Sequence, residues 1–85
     1  MNMLNVDTED SKYSTSDTQL AAYLQTEGFE LIDVITAQRS VFYFKNDNSK
    51  LQEYIRLYHA GKARVEPSLY MRNYRQLVRK AREGY

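Results

Sequence analysis

The longest periodic stretch of this chain, residues 67–82, constrains the fold most, because tyrosines and arginines alternate along one predicted helix. Successive residues of an α-helix lie about 100° apart around its axis. One sector of the helix therefore holds Tyr70, Tyr74, Leu77 and Ala81. A second sector, roughly 150° from the first, holds Arg72, Arg75, Arg79 and Arg82. The pattern predicts an amphipathic helix with tyrosine and leucine facing a core and arginine facing outward.

The ends of this helix are marked by residues that favour helix termini. Pro67 suits the first helical position, where its missing N–H is no loss, and Glu66 suits the positive end of the helix dipole. Gly84 is a natural C-terminal stop. We therefore expect a helix that begins at Pro67 and ends just before Gly84.

The chain has 85 residues and no cysteine. This length predicts one domain, which buries only about 60–65% of the surface that its unfolded chain exposes. We assign residues 1–12 to a flexible acidic tail and residues 13–85 to a single small domain. The absence of cysteine excludes disulfides and thiolate metal sites, and no apolar run is long enough for a signal peptide or a membrane span. The expected location is the cytoplasm.

Three further segments carry regular patterns. A helix is predicted over residues 17–26, where Ser16 and Gln19 form a capping-box pattern and Gly28 marks the end. A second helix is predicted over residues 51–58, where apolar side chains repeat with helical spacing, and Gly61 marks its end. Between these two helices, residues 29–35 and 40–45 have the composition of a β-hairpin.

The predicted fold class is α+β, with three helices packed on a hairpin or on a small three-stranded antiparallel sheet. The predicted order is α-β-β-α-(β)-α, in which residues 62–65 form either the third strand or a plain connection. The C-terminal helix is expected to lie across the hairpin.

The hairpin strands are apolar on both faces. Simple alternation places Leu31 and Ile35 on one face of the first strand and Ile32 and Val34 on the other. In the second strand, Phe42 and Phe44 oppose Val41 and Tyr43. A strand of this kind is usually covered on both sides. Either helices pack on both faces, or one face is kept for a partner.

The formal net charge of +1 hides an uneven distribution. Residues 1–30 carry six carboxylates against one lysine, a net charge of −5, whereas residues 62–85 carry seven cationic side chains against two carboxylates, a net charge of +5. This asymmetry favours either a basic face for an anionic partner or an acidic tail folded against that face.

No catalytic constellation is found in the sequence. The three glycines stand apart, so that no phosphate-binding loop is formed, and neither an HExxH nor a GxSxG motif occurs. The single histidine, His59, cannot make a histidine-based metal site and suits the end of a helix. We therefore expect no enzyme activity, no cofactor, no metal and no small-molecule substrate.

The arginine sector favours a nucleic-acid-binding surface, because guanidinium groups along one helical edge would contact successive phosphates. The predicted DNA- or RNA-binding residues are Arg64, Arg72, Arg75, Arg79, Lys80 and Arg82. Tyr70 or Tyr85 would add base stacking if exposed, although the inward position of Tyr70 is better explained by packing. The alternatives are a solvated polar face without a ligand, and a protein-binding role with a host or phage protein or as a homodimer. No membrane partner is expected.

The order of motifs resembles a known family. The motifs are Tyr13-Ser14-Thr15-Ser16-Asp17, Leu20-Ala21-Ala22-Tyr23-Leu24, Gly28-Phe29, Val41-Phe42-Tyr43-Phe44, residues 51–58, Gly61 and Val65-Glu66-Pro67-Ser68-Leu69-Tyr70. Over residues 13 to about 80 this pattern resembles a family of small proteins of undefined function encoded by bacteriophages and by bacteria that carry prophages. The resemblance implies expression in a bacterial cytoplasm and supplies no catalytic residues.

Overall fold

The computed structural model describes residues 12–36, 38–46 and 50–83, with the side chain of Glu83 left out. The elements, in chain order, are β1 (Lys12–Thr15), α1 (Thr18–Thr26), β2 (Leu31–Thr36), β3 (Ser40–Lys45), α2 (Lys50–His59) and α3 (Pro67–Glu83). In these described residues, three helices accompany a three-stranded antiparallel sheet. The predicted α+β class is confirmed.

The third strand comes from a different part of the chain than predicted. β1 lies at the N-terminal end of the described residues and pairs with β3, so that the strand order across the sheet is β1-β3-β2. Residues 62–65 form no strand and connect α2 to α3. Of the two alternatives predicted for this segment, the plain connection is observed, and the third strand is supplied by β1. Of the predicted tail at residues 1–12, only Lys12 is described, and it is the first residue of β1.

A β-bulge decides which side chains of β2 face the helices. Leu31 pairs with Phe44 and Val34 pairs with Phe42, although Leu31 and Val34 are three residues apart. The register shifts between Leu31 and Asp33, which places one extra residue on β2. The predicted alternation for β2 is therefore wrong, since Leu31 and Val34 share the face that simple alternation would divide between them.

The core lies between this face of the sheet and the helices. Phe42 and Phe44 are completely buried, and so are the aliphatic side chains that the helices contribute. The buried cluster consists of Leu20, Ala21, Ala22, Tyr23, Leu24, Val34, Phe42, Phe44, Leu51 and Leu77. Each helix contributes at least one member, which ties all three helices to the same face of the sheet. The predicted inward residues of α3 are confirmed, since Leu77 belongs to this cluster and Tyr70, Tyr74 and Ala81 pack against it.

The carboxylate of Asp17, the residue before α1, caps the N-terminal end of this helix. Oδ1 of Asp17 accepts hydrogen bonds from the backbone N–H groups of Gln19, at 3.0 Å, and Leu20, at 3.1 Å. These two donors have no partner inside the helix, so that the carboxylate satisfies them. The predicted capping box at Ser16 is not formed, since Asp17 takes the capping position.

Both predicted glycine stops are observed. Gly28 has a φ of 99° and Gly61 has a φ of 74°, conformations that favour glycine. At each site, two backbone N–H groups close the last helical turn, which is the arrangement of a Schellman motif. For α2 these bonds run from Gly61 to the carbonyl of Tyr58, at 3.1 Å, and from Lys62 to the carbonyl of Leu57, at 2.9 Å. The predicted stop at Gly84 lies outside the described residues.

Candidate nucleic-acid interface

Glu66 caps the N-terminal end of α3, the helix that carries the predicted interface. The carboxylate of Glu66 accepts hydrogen bonds from the backbone N–H of Leu69, at 2.7 Å, and of Ser68, at 3.2 Å. Pro67, which has no N–H, is the first helical residue, as predicted. A capping carboxylate also interacts favourably with the positive end of the helix dipole. These bonds fix the start of α3 at Pro67.

The inner side of α3 is anchored along its length. Leu77 is completely buried in the core. Tyr70 and Tyr74 stack on each other, with ring centroids 6.2 Å apart and an angle of 19° between the rings, and both pack against the core. Asn73 Nδ2 donates a hydrogen bond to Thr26 Oγ1 in α1, at 3.0 Å. These contacts hold α3 alongside α1 and near β2, and they prevent the helix from rotating about its axis.

The opposite side of α3 presents four exposed arginines. They are Arg72, Arg75, Arg79 and Arg82. None of the four forms an ion pair with a carboxylate in the part of the chain that the structure describes. From the first to the last, the helix rises about 15 Å. Because α3 cannot rotate, this row of guanidinium groups, which we call the arginine face, is held toward solvent.

The two other predicted binding residues lie elsewhere. Arg64 is exposed in the connection before α3 and is not part of the helix. Lys80 is half-buried and lies about 100° around the helix from Arg79, so it belongs to the side of α3 rather than to its outer edge. The structure thus brings four of the six predicted residues onto one face.

A shallow open depression of about 430 Å³ borders the arginine face. Its lining includes Arg75, Arg79 and Arg82 together with the half-buried Tyr74 and Val78. Val78 was not predicted to contribute, because in a helical wheel it lies between the two sectors. The lining thus combines an aromatic and an aliphatic side chain with three cations.

The tyrosines predicted to stack on bases are placed differently. Tyr70 is half-buried, stacked on Tyr74, and its hydroxyl donates a weak hydrogen bond to the carbonyl of Gln19, at 3.4 Å. Burial is the main reason that the pKa of Tyr70 is raised, and the nearby Tyr74 and Asp17 add to the effect. Tyr70 is thus part of the packing between α3 and α1. Tyr85 lies outside the described residues.

A second group of tyrosines joins α2 to α1. Tyr23 stacks on Tyr58, with centroids 6.0 Å apart, and meets the edge of Tyr54 at 6.2 Å. The hydroxyl of Tyr58 donates a hydrogen bond to Oδ2 of Asp17, at 2.9 Å. Burial, followed by this hydrogen bond and the charge of Asp17, raises the pKa of Tyr58 to about 12. These tyrosines are structural.

The described residues hold no cluster of three histidine or carboxylate side chains that could bind a metal ion. His59, the last residue of α2, is exposed, and its ring meets the edge of Tyr58 at 5.3 Å. The expected absence of enzyme activity stays a prediction. In the same part of the chain, no helix has the length and apolar character needed to cross a membrane.

Sheet, helices and core together define a two-layer α+β domain, in which three helices cover one face of a three-stranded antiparallel sheet. The chain belongs to the DUF5659 family, a domain of unknown function, whose family model matches residues 10–83. No curated protein and no solved structure matched the chain. Membership agrees with the resemblance to a family of undefined function, and it says nothing about a phage origin.

Proposed function

We propose that this chain is a non-enzymatic binding module that contacts DNA or RNA through the arginine face of α3. The observation that carries the proposal is that Arg72, Arg75, Arg79 and Arg82 are exposed in one row and have no described carboxylate as a partner. Guanidinium groups match the geometry of phosphate oxygens and remain charged at all relevant pH values. A row of about 15 Å reaches more than one phosphate of a strand.

The surroundings of the row support the same ligand class. The depression beside Tyr74 and Val78 would receive an apolar base or sugar edge, while Arg75, Arg79 and Arg82 would contact the backbone. Contacts of this kind position a nucleic acid without reading its sequence. We therefore expect binding that depends weakly on sequence and strongly on salt.

The test is a triple substitution, Arg72→Gln, Arg75→Gln and Arg79→Gln, measured by fluorescence anisotropy with labelled DNA and RNA at low salt. A matched control removes the same charge elsewhere through Arg39→Gln, Arg56→Gln and Lys62→Gln, all at exposed positions. We expect the affinity of the first variant to be lower by at least about 100-fold, because each lost phosphate contact reduces the number of counterions released on binding. The control should bind within a few-fold of the original protein.

Circular dichroism of both variants establishes that the domain is still folded. For the unaltered protein, the logarithm of the binding constant should fall with the logarithm of salt concentration with a slope of about −0.9 per phosphate contacted. Absence of binding at low salt, or binding that survives the triple substitution, would rule out the proposal.

The bacterial origin belongs to the same proposal. The proposal that the protein is encoded by a phage or prophage and acts in the bacterial cytoplasm rests on the family resemblance alone. A phage or prophage gene neighbourhood would support it.

A further inference from the structure

A row of apolar side chains runs along α3 beside the arginine face. Met71, Tyr74 and Val78 are three and four residues apart, so they follow one another along the same side of the helix. At about 100° per residue, the centre of this row lies roughly 90° around the helix axis from the centre of the arginine face. We call it the apolar row. The outer surface of α3 therefore carries two parallel strips, one cationic and one apolar.

The apolar row is accessible to solvent. Met71 is 40% exposed and is one of the large apolar side chains that the described residues leave in solvent. Tyr74 and Val78 are half-buried, and both line the open depression of about 430 Å³ at the edge of the arginine face. A ligand that contacts the arginines from this side would therefore also contact the apolar row.

The ring of Tyr74 is held in place by the packing of α3. It stacks on Tyr70 and packs against the buried cluster. The part of the ring that stays accessible lies beside Arg75 in the same depression. Because the ring is already fixed, a ligand that packs on it costs little side-chain entropy.

Two parallel strips match a single strand of nucleic acid better than a duplex. In a single strand the phosphates form one side, and the bases are free to pack their faces on protein side chains. In a duplex the faces of the bases are covered by neighbouring bases, and only their edges are accessible in the grooves. A duplex that contacts the arginine face would thus offer no base face to the apolar row.

We propose that the ligand of this site is single-stranded DNA or RNA, with its phosphates on the arginine face and its bases along the apolar row. The inference rests on the proposed function, since it specifies which form of nucleic acid the arginine face binds. The apolar row rises about 10 Å along the helix, whereas stacked nucleotides of one strand are about 3.4 Å apart, so the row accommodates more than one base. Every base has an apolar face, so this packing adds affinity without reading the sequence.

The first test compares ligands on the unaltered protein by fluorescence anisotropy at low salt. The ligands are a labelled single strand of about 12 nucleotides, the duplex of the same sequence, and an abasic strand of the same length. The single strand is measured with deoxyribose and with ribose, because the 2′-hydroxyl distinguishes DNA from RNA.

We expect the single strand to bind at least about 10-fold more tightly than the abasic strand, which keeps the phosphates and lacks the bases. It should also bind at least about 5-fold more tightly than the duplex. The second difference is diagnostic, because a duplex carries more phosphate charge per unit length and electrostatic attraction alone would favour it.

The second test removes the apolar row and leaves every arginine in place. The variant combines Met71→Gln with Val78→Thr. The matched control makes similar changes at exposed positions of the sheet, Ile32→Gln with Ile35→Thr. We expect the variant to bind the single strand at least about 5-fold more weakly and to bind the abasic strand and the duplex as before. The control should bind all three ligands like the original protein, and circular dichroism establishes that both proteins are folded.

Three results would each overturn the assignment to single strands and leave the proposed function intact. The first is a duplex that binds as tightly as the single strand. The second is an abasic strand that binds as tightly as the strand with bases. The third is an apolar-row variant that binds all three ligands as before or weakens all three alike. Absence of binding by every nucleic acid at low salt would overturn both proposals.

Discussion

Asp17 connects more parts of this domain than any other polar residue described above. One carboxylate oxygen caps α1 through Gln19 and Leu20, and the other accepts the hydroxyl of Tyr58 at the end of α2. The backbone N–H of Asp17 in turn donates to Thr15 Oγ1 in β1, at 3.0 Å. A single side chain of the connection between β1 and α1 therefore fixes a helix start and a contact between two helices.

We expect Asp17→Ala to lower the free energy of unfolding by about 2 kcal/mol. Roughly half of this loss is the cap, and the remainder is the hydrogen bond from Tyr58. Asp17→Asn, which keeps an oxygen for the cap, should cost less. Ser16→Ala is the matched control and should change stability by less than about 0.5 kcal/mol. Urea unfolding followed by circular dichroism measures all three, and a larger effect at Ser16 than at Asp17 would show that the cap is misassigned.

Tyr58 should make stability depend on pH in the alkaline range. Its pKa is about 12 in the folded protein and about 10, the ordinary value for tyrosine, when the chain is unfolded. The folded state therefore holds this proton more tightly, and the resulting stabilisation is fully present below pH 10 and is lost as the pH rises toward 12. The raised pKa values of Tyr13, Tyr23 and Tyr70 act in the same direction.

The contribution of Tyr58 can be isolated with Tyr58→Phe, which retains the ring stacking and removes the titrating hydroxyl. The difference in urea midpoint between the two proteins should be constant from pH 7 to 9 and should shrink between pH 10 and 11.5. A difference that is the same at pH 8 and pH 11 would contradict the assignment of this proton to Tyr58.

The positions of the helices could be predicted from the sequence, whereas the sheet could be predicted only in part. Helical periodicity, Pro67 and the two glycines mark helix positions locally, so they can be found without knowledge of the rest of the chain. β1 could not be found in this way. Its four residues, Lys12–Thr15, are polar apart from Tyr13, and they form a strand only because β3, about thirty residues later, offers a free edge. The bulge in β2 is invisible to simple alternation for a similar reason, since it is defined by pairing with β3.

The role of Gly61 in ending α2 can be tested by substitution. Gly61 has a φ of 74°, and a Cβ placed there would meet no described atom within 4 Å. The cost of Gly61→Ala is therefore backbone strain alone, about 1 kcal/mol, and Gly61→Asn should cost about half as much, because asparagine tolerates this conformation better. Urea unfolding of the two variants checks the order. An alanine variant as stable as the original would show that Gly61 does not require a positive φ.

At the scale of the whole molecule, the arginine face and the exposed apolar side chains of the sheet lie on opposite layers. The arginine face is carried by α3, whereas Ile32 and Ile35 are exposed on the sheet. The arginine face could be predicted, because a 100° step per residue separates Arg72 and Arg75 from Leu77 without any tertiary information. The exposed apolar side chains of the sheet could be predicted only as one of two alternatives, since the sequence does not show on which side of the hairpin the helices pack. Charge alone groups Lys80 with the arginines, whereas its position on the helix separates it from them.

The order of the strands across the sheet has a consequence for synthesis of the chain. Both β1 and β2 pair with β3 and not with each other, and β3 is the last of the three to be made. While a ribosome has translated only as far as Thr36, two of the three strands exist without a partner, and the side chains of α1 have no aromatic layer to cover. Assembly of the whole sheet therefore waits for six residues, Ser40–Lys45. Until they emerge, the apolar side chains of α1 and β2 lack Phe42 and Phe44 to pack against, which is the condition in which incompletely folded chains are prone to aggregate.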